Sequence, residues 1–175
     1  MKRYLGICFL LCSACAERPE IARSDIEFVA MAYVPGNGTI EVRFASEADL
    51  MNILKGDSRT IQDDNTLTCY LDARLDFHER HGQSNFLIGA VDELDRQGAL
   101  GKHQYSARLA SVHSDHEDGS NTFLSQEQLL AFLRERNALA CRFSASGYFS
   151  ESYQSHPVGI ASSEFARVME QRVKH

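Results

Sequence analysis

The chain has 175 residues, the length of about one to one and a half ordinary domains. It carries 18 Lys and Arg against 24 Asp and Glu, a net charge of −6, and 43% of its residues are hydrophobic. This composition is globular, and the negative charge argues against a nucleic-acid-binding protein, because neutralising phosphates requires a basic face. No apolar run reaches the roughly 18 residues that a membrane-spanning helix needs.

The beginning of the chain has the pattern of an export signal. Lys2 and Arg3 precede a short apolar run at residues 4–11, and small residues follow at 12–16. This order of positive charge, apolar run and small residues predicts a secretory signal peptide over residues 1–14.

The end of that signal resembles the lipobox of bacterial lipoproteins. The resemblance lies in Ser13-Ala14-Cys15, although Cys12 stands where the family usually has Leu. It implies a diacylglyceryl group on Cys15 and, because Ala16 follows, an outer-membrane anchor facing the periplasm. Cleavage after Ala16, at an A-x-A site, is the alternative and would give a soluble periplasmic protein.

With lipidation at Cys15, residues 15–24 form a polar tether and residues 25–175 form the folded domain. Removing the signal takes away two basic residues and no acidic one, which changes the net charge from −6 to −8. An acidic domain gains nothing from anionic lipid head groups, so we expect membrane attachment through the acyl chains alone.

Cys69 and Cys141 remain as a pair once Cys15 is acylated. Exported proteins fold in an oxidising compartment, so this pair predicts a disulfide. The bridge would close a loop of about 70 residues and stabilise the fold by roughly 4 kcal/mol in the chain-entropy model. Two buried free thiols are the alternative.

Residues 25–175 predict a single α+β domain, mainly an antiparallel sheet with two to three short helices. The turn sequence Pro35-Gly36-Asn37-Gly38 separates an apolar run at 26–34 from an alternating segment at 39–44. This arrangement predicts a β-hairpin.

The later elements follow from alternation and from helix-capping signals. Further strands are predicted at residues 66–77, 85–91, 105–112, 138–149 and 157–161. Helices are predicted after Ser46, after Ser125 (with Gln128 completing a capping box) and after Ser163. The element order from residue 66 fits an OB-like barrel, and an antiparallel sheet with helices on one face is the alternative.

Catalytic and metal-binding patterns are weak. The pairs His78–His81 and His113–His116 each supply two ligands, whereas zinc needs three or four, and both pairs are placed in loops. No serine-nucleophile motif occurs. We therefore expect no enzyme activity, no cofactor and no metal.

Two segments predict contacts with a protein partner. Asp115, Glu117 and Asp118 form an acidic loop that would attract a basic partner, with a solvated turn as the alternative. Tyr148 and Tyr153 lie among small polar residues, a composition typical of contact surfaces, with core packing of Tyr153 as the alternative.

These features together predict a periplasm-facing lipoprotein that binds and inhibits a protein partner. In size, address, acidity and lack of a catalytic motif the chain resembles immunity lipoproteins paired with secreted antibacterial toxins. The alternative function is a structural or accessory lipoprotein of the cell envelope.

Overall fold

The computed structural model describes residues 21–35, 38–54, 62–72, 83–95, 101–115, 117–147 and 152–171. Within them lie strands β1 (Glu27–Val34), β2 (Thr39–Ser46), β3 (Gln62–Tyr70), β4 (Gln83–Asp95), β5 (His103–Asp115), β6 (Ser120–Phe123), β7 (Ala138–Gly147), β8 (Ser152–Gln154) and β9 (Val158–Ala161). Helix α1 covers Gln126–Arg134 and helix α2 covers Ser162–Gln171.

The predicted signal peptide and Cys15 lie outside the described residues. Neither described helix is long and apolar enough to cross a membrane.

The strands form one open sheet in the order β1-β2-β5-β4-β3-β7-β8, with β6 added on β5 and β9 on β7. Every pairing is antiparallel. The prediction of a mainly antiparallel α+β fold is confirmed. The OB-like barrel from residue 66 is wrong, because β5 pairs with β2, so the later strands do not close on themselves.

Two long strands, β5 and β7, each pair along one edge with two shorter strands in succession. The edge of β5 pairs with β2 over His103–Leu109 and then with β6 over Val112–Asp115. The edge of β7 pairs with β9 over Ala138–Cys141 and then with β8 over Ser144–Ser146. Strand β6 therefore continues along the edge of β5 beyond Leu109, where the pairing with β2 ends.

Ser155 joins β8 to β9 along the edge of β7. Its backbone N–H donates to the carbonyl of Phe143 at 3.0 Å, and its Oγ accepts from the N–H of Phe143 at 3.1 Å. Both backbone groups of Phe143 are thus satisfied, although Pro157 has no N–H to continue the ladder.

The two ends of the open sheet approach each other at Ser24. The N–H of His156 donates to the carbonyl of Ser24 at 2.9 Å, and the N–H of Ser24 donates to Tyr153 Oη at 2.6 Å. Helix α2 contacts β1 and β2 at one end of the sheet and β7 and β9 at the other. The sheet therefore curves around the apolar side of α2.

The core fills this curve with side chains that alternate along the strands. Its fully buried members include Val42, Phe44, Leu67, Leu87, Tyr105, Phe143 and Phe165. The predicted inward face of β3 is confirmed at Leu67, Cys69 and Leu71, and its continuation over residues 73–77 lies outside the described part of the chain.

The capping signals had different outcomes. The capping box of α1 is confirmed, with Ser125 and Gln128 each accepting the other's backbone N–H. The helix predicted after Ser46 is a 3-10 turn at Leu50–Asn52. The Ser46 hydroxyl does not cap it, because it donates to the carbonyl of Asp25 at 2.8 Å and accepts from the N–H of Ala48.

Candidate functional site

The acidic loop predicted to attract a basic partner is the turn between β5 and β6. Asp115 Oδ1 accepts from the N–H of Glu117 at 2.9 Å, and Asp118 Oδ1 accepts from the N–H of Ser120 at 2.7 Å. Gly119 has a φ of 73°, the left-handed region that glycine tolerates. Two of the three carboxylates therefore fix the shape of the turn, and Glu117 and Asp118 are exposed.

Strand β6 follows the turn and is exposed along its whole length. Phe123 at its end is 81% exposed, although its backbone pairs with Val112 of β5. Beyond it, Leu124 and Ser111 exchange two hydrogen bonds of 3.2 Å, one from the N–H of Leu124 and one from the Ser111 hydroxyl. Phe123 is thus an exposed aromatic ring on a backbone that pairs with β5 both at Phe123 and at Leu124.

The structure corrects the placement of Tyr153. This side chain is 2% exposed, its ring centroid lies 6.3 Å from that of Phe143, and its hydroxyl is bonded to Ser24. The alternation of β8 directs it into the core, so it offers no contact surface. Tyr148 lies outside the described residues. The exposed aromatic beside the acidic turn is instead Phe123, which no sequence pattern separated from Leu124.

Cys69 and Cys141 lie directly opposite each other on β3 and β7. Both side chains are fully buried, as predicted, and their sulfur atoms are 2.03 Å apart. This distance is compatible with the predicted disulfide.

A second group of polar side chains meets where β2 ends and β5 begins. Asp49 precedes the 3-10 turn, Glu93 lies near the end of β4, and His103 is the first residue of β5. One potential ligand atom from each lies within 4.8 Å of the other two, and His103 Nδ1 is 3.5 Å from Glu93 Oε1. No local sequence pattern reveals this cluster, because its members are far apart along the chain.

Tyr105 and Asn52 hold the segment that carries Asp49. The Tyr105 hydroxyl accepts from the N–H of Leu50 at 2.9 Å and donates to the carbonyl of Ala48 at 3.2 Å. Asn52 Nδ2 donates to Asp49 Oδ2 at 2.7 Å. The other carboxylate oxygen, Oδ1, is buried and has no hydrogen-bond partner among the described residues.

The cluster lies at the boundary between core and solvent. Burial raises the pKa of Tyr105 to about 12, and the charges of Asp49 and Glu93 raise it as well. The hydroxyl therefore stays protonated at neutral pH and remains a donor. The side chains of Glu93 and His103 are 17% and 22% exposed, so solvent reaches the cluster.

The structure also corrects the placement of His113. It lies within β5 rather than in a loop, and its Nδ1 is 2.8 Å from Asn85 Oδ1. Asn85 in turn donates from its N–H and its side-chain nitrogen to the carboxylate of Asp72, at 2.6 and 3.1 Å. This chain of bonds links β5 and β4 to Asp72, two residues after the end of β3. His78, His81 and His116 lie outside the described residues.

Comparisons with protein-family models, curated protein sequences and solved structures found no match. The functional hypotheses therefore rest on two features of the described residues. One is the β5–β6 hairpin with its acidic turn and Phe123, and the other is the cluster of Asp49, Glu93 and His103.

Proposed function

We propose that the protein is an exported, lipid-anchored binding protein of the bacterial cell envelope. Its partner is a basic protein, and binding inhibits that partner, as immunity lipoproteins do with secreted antibacterial toxins. The observation that carries the proposal is the 81% exposure of Phe123 at the end of a strand that begins with an acidic turn.

Aromatic residues are enriched in protein interfaces, where a few buried anchors supply most of the binding energy. The backbone of β6 is already paired with β5, so docking Phe123 costs little conformational entropy. The neighbouring carboxylates of Asp115, Glu117 and Asp118 would steer a basic partner toward the ring. The hairpin thus combines an anchor for affinity with a charge field for association rate.

The cellular address is the second part of the proposal. It is supported by the signal-like pattern of residues 1–16 and by the Cys69–Cys141 pair, which suits an oxidising compartment. Labelled palmitate should enter the wild-type chain and be absent from Cys15→Ser. A soluble, unlabelled periplasmic product from both chains would refute lipidation and favour cleavage after Ala16.

Neutralising the turn tests the role of its charge without removing its hydrogen bonds. Asp115→Asn and Asp118→Asn keep the oxygen that accepts from the backbone, and Glu117→Gln removes the third charge. We expect this triple variant to bind a basic toxin encoded beside the gene with a slower association rate and a weaker salt dependence. The matched control neutralises three exposed carboxylates elsewhere on the domain, with Asp92→Asn, Glu135→Gln and Glu170→Gln.

Phe123→Ser tests the anchor, with Val29→Ser on the exposed edge of β1 as its control, since Val29 is 54% exposed. We expect Phe123→Ser alone to speed dissociation, by at least about tenfold. Deleting the gene should also make cells sensitive to the toxin. Unchanged fitness against every neighbouring toxin would instead favour a structural envelope lipoprotein.

A further inference from the structure

We propose that Asp49, Glu93 and His103 form a binding site for one divalent transition-metal ion, of which Zn²⁺ is the best fit. This site is separate from the β5–β6 hairpin and does not depend on the proposed function. The bound ion would link the segment after β2 to the end of β4 and to the start of β5.

The charges of the cluster suit a divalent cation. Two carboxylates and a neutral imidazole carry a combined charge of −2, which one divalent ion balances. His103 Nδ1 is 3.5 Å from Glu93 Oε1, which fits the roughly 3.3–3.6 Å between ligand atoms of a tetrahedral ion with bonds of 2.0–2.2 Å. Because all three ligand atoms lie within 4.8 Å of one another, binding requires any two of them to approach by at most about 1.5 Å.

Two atoms of the cluster are buried without a hydrogen-bond partner in the described part of the chain. They are Asp49 Oδ1 and His103 Nδ1, and the second has only the 3.5 Å ion-pair contact with Glu93, which does not have hydrogen-bond geometry. A buried polar atom with no partner is costly, and folded proteins rarely keep one without a water or an ion nearby. Both residues belong to the group that brings one ligand atom each within 4.8 Å of the other two, so one ion at that point would take ligands from both.

The surroundings supply the support that metal ligands have in known sites. Asn52 holds Asp49 Oδ2, which leaves Oδ1 as the oxygen available to an ion. The ladder changes register between Glu93 and Asp95, and such bulges occur beside functional sites because they redirect side chains.

The ligand set also selects among metals. Imidazole suits Zn²⁺ and similar transition ions, whereas Ca²⁺ and Mg²⁺ prefer sites made entirely of oxygen ligands. Three protein ligands leave a fourth position for water, and the 17% and 22% exposure of Glu93 and His103 gives solvent access to it.

Titration of the chelator-treated full chain with Zn²⁺, followed by calorimetry and thermal unfolding, tests the site. We expect one ion per chain and a higher Tm with Zn²⁺ but not with Ca²⁺ or Mg²⁺. Asp49→Asn, Glu93→Gln and His103→Gln should each weaken Zn²⁺ binding by more than about 100-fold. A loss of about 10–100-fold is typical when the changed residue only hydrogen-bonds to a metal ligand. His156→Gln, which changes an exposed histidine, should bind as the wild type does.

X-ray absorption of the wild-type Zn²⁺ complex keeps the proposal testable if a variant fails to fold. It should show one imidazole among oxygen ligands. Absence of stoichiometric binding, or binding that persists in Asp49→Asn, would overturn the assignment. In the first case the cluster is a metal-free histidine–carboxylate pair, and in the second the ion binds elsewhere, for example at His78 and His81.

Discussion

Asn52 donates a hydrogen bond of 2.7 Å from its side chain to Asp49 Oδ2 and another of 3.2 Å from its backbone N–H to the Asp49 carbonyl. The two residues thus close the 3-10 turn on both its main chain and its side chains. The same bonds fix the carboxylate that forms the cluster with Glu93 and His103.

Asn52→Ala should lower the free energy of unfolding by about 1.5 kcal/mol, because a carboxylate loses a donor. Urea unfolding measures this, and Asn121→Ala on the exposed strand β6 is the control, with little expected change. If Asn52 is a positioning residue for the ion, its variant should also bind Zn²⁺ about 10–100-fold more weakly. A loss of stability with unchanged Zn²⁺ affinity would limit Asn52 to a structural role.

Gly89 allows a close approach of backbones at the centre of the sheet. It lies on β4 between β3 and β5, and a Cβ there would come within 2.1 Å of the Arg108 carbonyl oxygen. We expect Gly89→Ala to cost about 1–3 kcal/mol, because one of the two backbones must move.

Gly159 on β9 is the matched control for Gly89, since a Cβ there would meet nothing within 4 Å. Gly159→Ala should change the free energy of unfolding by no more than about 0.5 kcal/mol. Equal losses in the two variants, measured by urea unfolding, would show that the close approach at Gly89 does not determine the cost.

Tyr105→Phe should destabilise the fold more than Tyr153→Phe. The first leaves the N–H of buried Leu50 without an acceptor, at a cost of about 1–3 kcal/mol. The second frees the N–H of Ser24, which water can reach more easily, at about 0.5–1.5 kcal/mol. Chemical denaturation of both variants checks the order, and the reverse order would contradict it.

The Tyr105 hydroxyl also predicts a pH dependence. Its pKa is raised from 10.0 to about 12 in the folded chain, so folding favours the protonated form. The resulting stability is complete below pH 10 and is lost as the pH rises toward 12. Tyr105→Phe should lack this part of the alkaline loss.

Removing the cysteine bridge should cost roughly 2–5 kcal/mol, because Cys69 and Cys141 close a long loop. Reductant should lower the urea midpoint of the wild type and leave that of the Cys69→Ser, Cys141→Ser double variant unchanged. Two alkylatable thiols in the folded, air-oxidised protein would contradict the bridge.

Local patterns were sufficient to predict much of the fold. The capping box of Ser125 and Gln128 involves neighbouring residues only, so its spacing in the sequence already specifies the start of α1. Alternation likewise predicted which side of β3 and β7 is buried, and with it the inward placement of Cys69 and Cys141.

The candidate sites depend on strand order, which no local pattern contains. Asp49, Glu93 and His103 meet only because β5 lies between β2 and β4. Tyr153 faces the core, and its hydroxyl accepts a hydrogen bond from Ser24, far away in sequence, only because the ends of the sheet approach each other there. Phe123 is exposed because β6 lies at an edge, where the outward and inward faces cannot be told apart from four residues.

Photo-crosslinking in living cells tests most directly whether the β5–β6 hairpin binds a partner. A crosslinking amino acid at position 123 should give an adduct with a basic protein encoded beside the gene. The same amino acid at position 29, on the exposed strand β1, should give none, and neutralising Asp115, Glu117 and Asp118 should reduce the adduct at 123. No adduct at 123, or equal adducts at 123 and 29, would contradict the proposal.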